Sequence, residues 1–176
     1  MARPQEHEYA TFYAGYVGLV PEDDIMGVLT SQTADVRAIA QAVPEERETY
    51  AYAPGKWTIR QVMGHITDAE RVFGHRAFCI ARGEQQSMPG YDENAYMAES
   101  GCHECPLADL VDEFAAVRAV NLAFLRKLPP EAWRRMGVAN GTPVSVTALA
   151  YMLAGHARHH LGVLRERYGV PDVARR

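Results

Sequence analysis

Ser145-Val146-Thr147-Ala148-Leu149-Ala150-Tyr151-Met152-Leu153-Ala154-Gly155-His156-Ala157-Arg158-His159-His160-Leu161-Gly162-Val163-Leu164 is the stretch that decides how this chain is read. It is free of proline and has apolar residues at helical spacing: Val146, Leu149, Met152, Leu153, Val163 and Leu164 share one face. Gly169 and then Pro171 stop it after Tyr168. On a helix, residues four apart lie about 40° apart and one turn apart, so His156 and His160 both sit within this apolar stripe. Arg158 falls on the opposite side and His159 toward the stripe edge. Two imidazoles facing an otherwise aliphatic core need partners, because a buried polar group left unsatisfied costs a few kcal/mol. A divalent metal ion would satisfy both.

Working outward, three more segments carry the same period. The first runs from Glu22 to Val43 and is closed by Pro44. The second runs from Thr58 to Arg82, where Thr58 and Gln61 have capping-box spacing and Gly83 is the stop. The third runs from Leu107 to Leu128 and is closed by Pro129-Pro130. Four amphipathic helices with little strand signal predict an all-α fold, a four-helix bundle with long connecting loops. Segment 84–106 is long and carries polar and aromatic residues, including Tyr91, Asp92, Glu93 and Tyr96, which marks it as a functional loop. Segment 129–144 is read as a short helix near Glu131–Arg135 followed by a turn at Asn140-Gly141. The first 20 residues, rich in tyrosine and glycine, are taken as an N-terminal extension without an assigned element.

The chain has 176 residues, 48% hydrophobic and 23% charged, which fits one domain, 1–176, with one core. A net charge of -4 and the absence of long basic runs argue against a general nucleic-acid-binding face. No apolar run reaches the roughly 18 residues that span a bilayer, and the N-terminus lacks signal-peptide order, so a cytoplasmic protein is expected. Three cysteines do not make a disulfide framework. Cys102-His103-Glu104-Cys105 is a lone CxxC without a second ligand pair or a preceding strand, and is read as loop packing. Cys79 is read as a small buried hydrophobe, Trp57 as a staple before the second helix, and Arg71, Arg76, Arg82 and Arg118 as a solvated face, with anion-binding groups as the alternative.

A third ligand should come from another helix, and His65 in Gly64-His65-Ile66 leans toward the second helix's stripe, whereas His75 lies on its far face. Three neutral imidazoles leave an open coordination position, which suits catalysis: an ion so held lowers the pKa of bound water or of a bound thiol, or polarises a carbonyl. Asp68, Glu70, Asp92 and Glu93 are candidates to hold the second ring nitrogens, and Tyr91, Asp92 and His159 are candidates for supporting or substrate roles.

Several stretches together resemble the DinB/YfiT-like superfamily of small metal-binding four-helix bundles. They are Gly55-Lys56-Trp57-Thr58-Ile59-Arg60-Gln61-Val62 leading into Gly64-His65-Ile66, then Asp68-Ala69-Glu70-Arg71-Val72-Phe73, Tyr91-Asp92-Glu93-Asn94-Ala95-Tyr96, Glu113-Phe114, and Ala154-Gly155-His156 with His159-His160. The resemblance implies an up-up-down-down bundle with a divalent ion, usually zinc or nickel, held by His65, His156 and His160. It also implies a homodimer and metal-dependent transfer chemistry with a low-molecular-weight thiol, one branch isomerising maleylpyruvate with such a thiol. Three functions follow as expectations: a thiol S-transferase acting on a small electrophile; a metal-dependent hydrolase of a small ester or amide; or a non-catalytic metal-binding stress protein.

Overall fold

The computed structural model describes residues 2–172. Met1 and residues 173–176 lie outside the described residues, so the ends of the single-domain reading are not covered. The elements in order are α1 (Ala14–Gly18), α2 (Ile25–Gln41), α3 (Ile59–Ala81), α4 (Glu93–Glu99), α5 (Leu107–Leu125), α6 (Pro130–Trp133), β1 (Met136–Ala139), β2 (Thr142–Ser145) and α7 (Val146–Glu166). Helix α2 is capped by Asp24, which accepts from the Gly27 amide, and α7 by Ser145, which accepts from the Ala148 amide. Helix α3 opens with the Thr58–Gln61 capping box expected from the sequence.

The four long helices form the bundle. Helix α2 packs on α5 and α7, and α3 packs on α5 and α7. Their stripes fill two core regions, one at each end. One end holds Ile25 and Leu29 of α2, Phe73 and Ile80 of α3, Leu122 and Leu125 of α5, and Leu149 and Leu153 of α7. The other end holds Val36 and Ile39, Ile59 and Ile66, Leu107 and Phe114, and Leu161 and Leu164 of the same four helices.

These ends fix the helix directions. Helices α2 and α7 run from the first end to the second, whereas α3 and α5 both run from the second to the first. The up-up-down-down order implied by the resemblance is therefore corrected to up-down-down-up, while the four-helix bundle itself is present. The physical reason lies in the α3–α5 link. Because those helices are parallel, residues 82–106 must return along the full length of α3, about 35 Å for its 23 residues. The length of this segment is first of all the length of a crossover.

A small hairpin, not foreseen from the sequence, joins α6 to α7. Strands β1 and β2 pair antiparallel, Met136 opposite Ser145 and Ala139 opposite Thr142. Asn140 (φ 52°) and Gly141 (φ 71°) make the turn, the pair of positive φ angles that a two-residue hairpin of this twist requires. The turn at Asn140-Gly141 and the short helix before it were legible; strands of four residues were too short to leave a pattern. The hairpin also grips the crossover: the Met88 amide donates to the Val138 carbonyl, and the Asn140 amide donates to the Met88 carbonyl, both at 2.9 Å.

Two of the four arginines read as solvated are instead buried, Arg76 and Arg118. Arg118 is wholly enclosed, paired through Nε and Nη2 with both carboxylate oxygens of Glu70 (2.7 and 2.8 Å). Its Nη1 donates to the Leu29 carbonyl and to Gln32 Oε1. Gln32 in turn donates to the Ala154 carbonyl at 2.8 Å, and Asn121 donates to Glu70 Oε1 at 2.9 Å. This node links all four long helices at mid-bundle. Arg71 and Arg82 are exposed, as read.

Candidate metal centre

His65 projects from α3, and His156 and His160 project from α7, where α3 and α7 pack together. Each of the first two ligand candidates follows a glycine at which another segment presses on the helix. A Cβ at Gly155 would overlap the Tyr16 carbonyl, so α1 can lie against α7 only there. A Cβ at Gly64 would overlap Cys102 Sγ, which seats the end of the crossover against α3. Thus Gly64-His65 and Gly155-His156 each combine close backbone approach with an inward-facing ring.

The three rings converge. Their centroids lie 4.5 to 4.8 Å apart, the Nε2 atoms of His65 and His156 are 3.0 Å apart, and one ligand atom from each of the three lies within 4.8 Å of the others. Among the described residues this is the one cluster of three or more histidine, cysteine or acidic side chains so arranged. Burial drives the His65 pKa down to about 4 and that of His160 down to about 3, and holds His156 well below its ordinary value. All three are then neutral at pH 7, each with a lone pair available.

The donor set fits a divalent cation. Three imidazole nitrogens are a common set for zinc, at bonds of about 2.0–2.1 Å that place tetrahedral nitrogens roughly 3.3 Å apart. The 3.0 Å pair needs only a few tenths of an ångström to reach that spacing. Three protein ligands leave room for a further one.

Aromatic rings wall the site. Trp57, read as a helix staple, packs its ring 4.7 Å from that of His65. Tyr16 sits edge-on to His156 at 5.3 Å and to His159 at 5.4 Å, and Phe73 lies 5.9 Å from His156. A pocket of about 200 Å³ opens beside His65 and His156, bordered by Phe12, Tyr13, Tyr16, Phe73, Arg76, Tyr91, Glu93 and Asn140. Burial raises the pKa of the Tyr16 and Tyr91 hydroxyls, so both keep their protons.

Of the residues singled out from sequence, Tyr91 borders this pocket, and Glu93, a candidate acceptor, borders it too. His159 is exposed and touches the site through its contacts with Tyr16 and His160. Asp92 does not line the pocket: its carboxylate caps α4, accepting from the Asn94 and Ala95 amides. Glu70 is taken up by Arg118 and Asn121, and Asp68 lies 3.7 Å from Arg71. Tyr16 was missed, since no helical period marks the first 20 residues. Arg76, read as solvated or anion-binding, borders the pocket, and carried no local sign that the crossover would cover it. Cys102 is buried and Cys105 half-buried, both as free thiols, and Cys79 is half-buried beside His75.

A family model for the DinB superfamily matches residues 29–164. The chain belongs to the DinB superfamily. Its bundle is similar to that of YfiT from Bacillus subtilis, described as a probable metal-dependent hydrolase with an unusual four-helix bundle topology. The two share 18% identity at a TM-score of 0.76, over 97% of this chain and 95% of that one. It is also similar to a mycothiol-dependent maleylpyruvate isomerase, at 15% identity and a TM-score of 0.67, over 83% of this chain and 61% of that one. No curated protein matches the sequence. At these identities the structural likenesses establish the shared four-helix fold. No helix among the described residues is long and apolar enough to cross a membrane.

Proposed function

We propose that this DinB protein is a metal-dependent enzyme that holds one divalent cation, zinc or nickel, through His65, His156 and His160 and transfers a low-molecular-weight thiol to a small electrophile. The observation that carries the reading is the convergence of three neutral, largely buried imidazoles beside a small aromatic-walled pocket. His65, His156 and His160 would hold such a cation, which would supply Lewis acidity to a ligand in the adjoining pocket. The rings of Trp57, Tyr16 and Phe73 limit water around the histidines. Tyr16 and Tyr91 border the pocket, and their protonated hydroxyls would supply hydrogen-bond donors to a ligand there. Glu93 is the single carboxylate bordering it, and is positioned to accept a proton. The likeness to a mycothiol-dependent enzyme supports a thiol as the second reactant.

Hydrolysis of a small ester or amide is the second reading, supported by the likeness to YfiT along nearly the whole chain. A panel of small electrophiles, assayed with and without bacillithiol, mycothiol or glutathione, separates the two. Turnover that appears only with thiol is expected; turnover of esters or amides at the same rate without thiol overturns transfer in favour of hydrolysis. A non-catalytic stress protein with a structural ion would unfold on chelation, whereas the two apolar core regions here should keep the fold. The homodimer belongs to the same proposal and is checked by light scattering, which should give twice the 19.5 kDa chain mass.

A further inference from the structure

The two buried arginines are buried differently. Arg118 is matched by a carboxylate on both sides of its fork and by two further acceptors. Arg76, on α3, is only 4% exposed, yet it makes one hydrogen bond, from Nη2 to the Pro89 carbonyl at 2.7 Å. No carboxylate pairs with it among the described residues. A guanidinium carries five N–H donors in a rigid fork that matches a carboxylate, and burying its charge without a counter-charge is costly. The unused donors of Arg76 are not sealed inside the protein, since among the described residues the one polar side-chain atom buried without a partner is Arg165 Nε. Arg76 borders the pocket that His65 and His156 also border.

We propose that Arg76 is the anion anchor of this pocket, and that the small molecule handled at the histidine triad carries a carboxylate. This rests on the triad being the reactive centre. Glu93 borders the same pocket, so its protein charges sum to about zero with one guanidinium and one carboxylate. The planar fork of Arg76 matches the two oxygens of a single carboxylate. The pocket, about 200 Å³ and open to solvent, suits a small organic acid. The aromatic walls fit an apolar body behind the carboxylate, and Arg76 then fixes which end of the molecule lies away from the histidines.

The test is calorimetric titration of chelator-treated and zinc-loaded protein with benzoate, and with benzamide as its neutral isostere. Benzoate should bind at least ten-fold more tightly than benzamide in both forms. Arg76→Met should weaken benzoate at least ten-fold while leaving benzamide binding and zinc stoichiometry unchanged, and Arg76→Lys should restore part of the loss. Equal affinity of wild-type protein for benzoate and benzamide, no benzoate binding at millimolar concentration, or undiminished benzoate affinity in Arg76→Met overturns the proposal. Should Arg76→Met fail to fold, the wild-type pair and Arg76→Lys still decide. Carboxylate preference in a protein that takes up no zinc sinks the metal reading and leaves the anchor standing; zinc uptake without that preference sinks the anchor alone.

Discussion

The bundle buries polar side chains in two neighbouring places, and the two obey opposite rules. Around Arg118 every strong group has an internal partner: Glu70, Gln32, Asn121 and three backbone carbonyls close the network across all four long helices. Around His156 the groups match in kind instead of in charge: three rings that burial keeps neutral converge, with the Nε2 atoms of His65 and His156 3.0 Å apart. The first arrangement is complete within the chain. The second holds neutral nitrogen donors together beside a pocket, which is the arrangement of a binding site.

The sharpest way to break this contrast is to disturb the complete network. Arg118→Met leaves the Glu70 carboxylate buried without its partner and should cost about 3–5 kcal/mol in urea unfolding. The double variant Glu70→Leu/Arg118→Met should recover much of that loss, and failure to recover any would mean the ion pair is not what the helices share. At the other cluster the balance inverts. His160→Ala should abolish binding of about one divalent ion per chain while changing metal-free stability by less than the Arg118 variant does. Full metal occupancy in that variant would remove His160 from the ligand set.

A pH titration of the metal-free protein sharpens the comparison further. The folded pKa values of His65 and His160, about 4 and about 3, lie below the ordinary 6.5, so the unfolded chain binds more protons between those limits. Stability should be level above pH 6.5 and fall as pH drops toward 4, by at most about 1.4 kcal/mol per pH unit for each such group. Thermal melts that stay flat across this window would show that the rings are not buried as neutral species. The smallest effect is expected at a hinge of the site. Gly155→Ala should displace the backbone at Tyr16 and cost about 1–3 kcal/mol, with the metal still bound.

The parts of this molecule legible in its sequence are those written in local period. Helices α2, α3, α5 and α7 begin and end within a few residues of where Pro44, Gly83, Pro129 and the caps place them, and His156 and His160 fall on the buried face as their spacing requires. His65 was found because a helix with a clear stripe places its residues at known angles. What stayed hidden depends on contacts between distant segments. The parallel run of α3 and α5 follows from where the crossover is anchored, by Met88 on the hairpin and by Cys102 at Gly64, and neither contact has a local signature. Arg118 looks like any exposed helix arginine until Glu70, 48 residues earlier, meets it. Tyr16 enters the site only because Gly155 admits the α1 backbone, with Arg158 holding the following loop through Glu22 and the Leu19 carbonyl.

The pairing of the long helices has a consequence for how the chain assembles. Each substantial helix contact joins α1, α2 or α3 to α5 or α7, so the helices before the crossover and those after it share every major helix interface. Neither part has a helical hairpin to hold it together by itself. A polypeptide cut at the exposed Gln85-Gln86 dipeptide should give two fragments that are each largely unstructured alone and that reconstitute one bundle when mixed. By the same token, two intact molecules that exchange halves would rebuild every native contact, which makes the link between them the natural seam for reciprocal exchange.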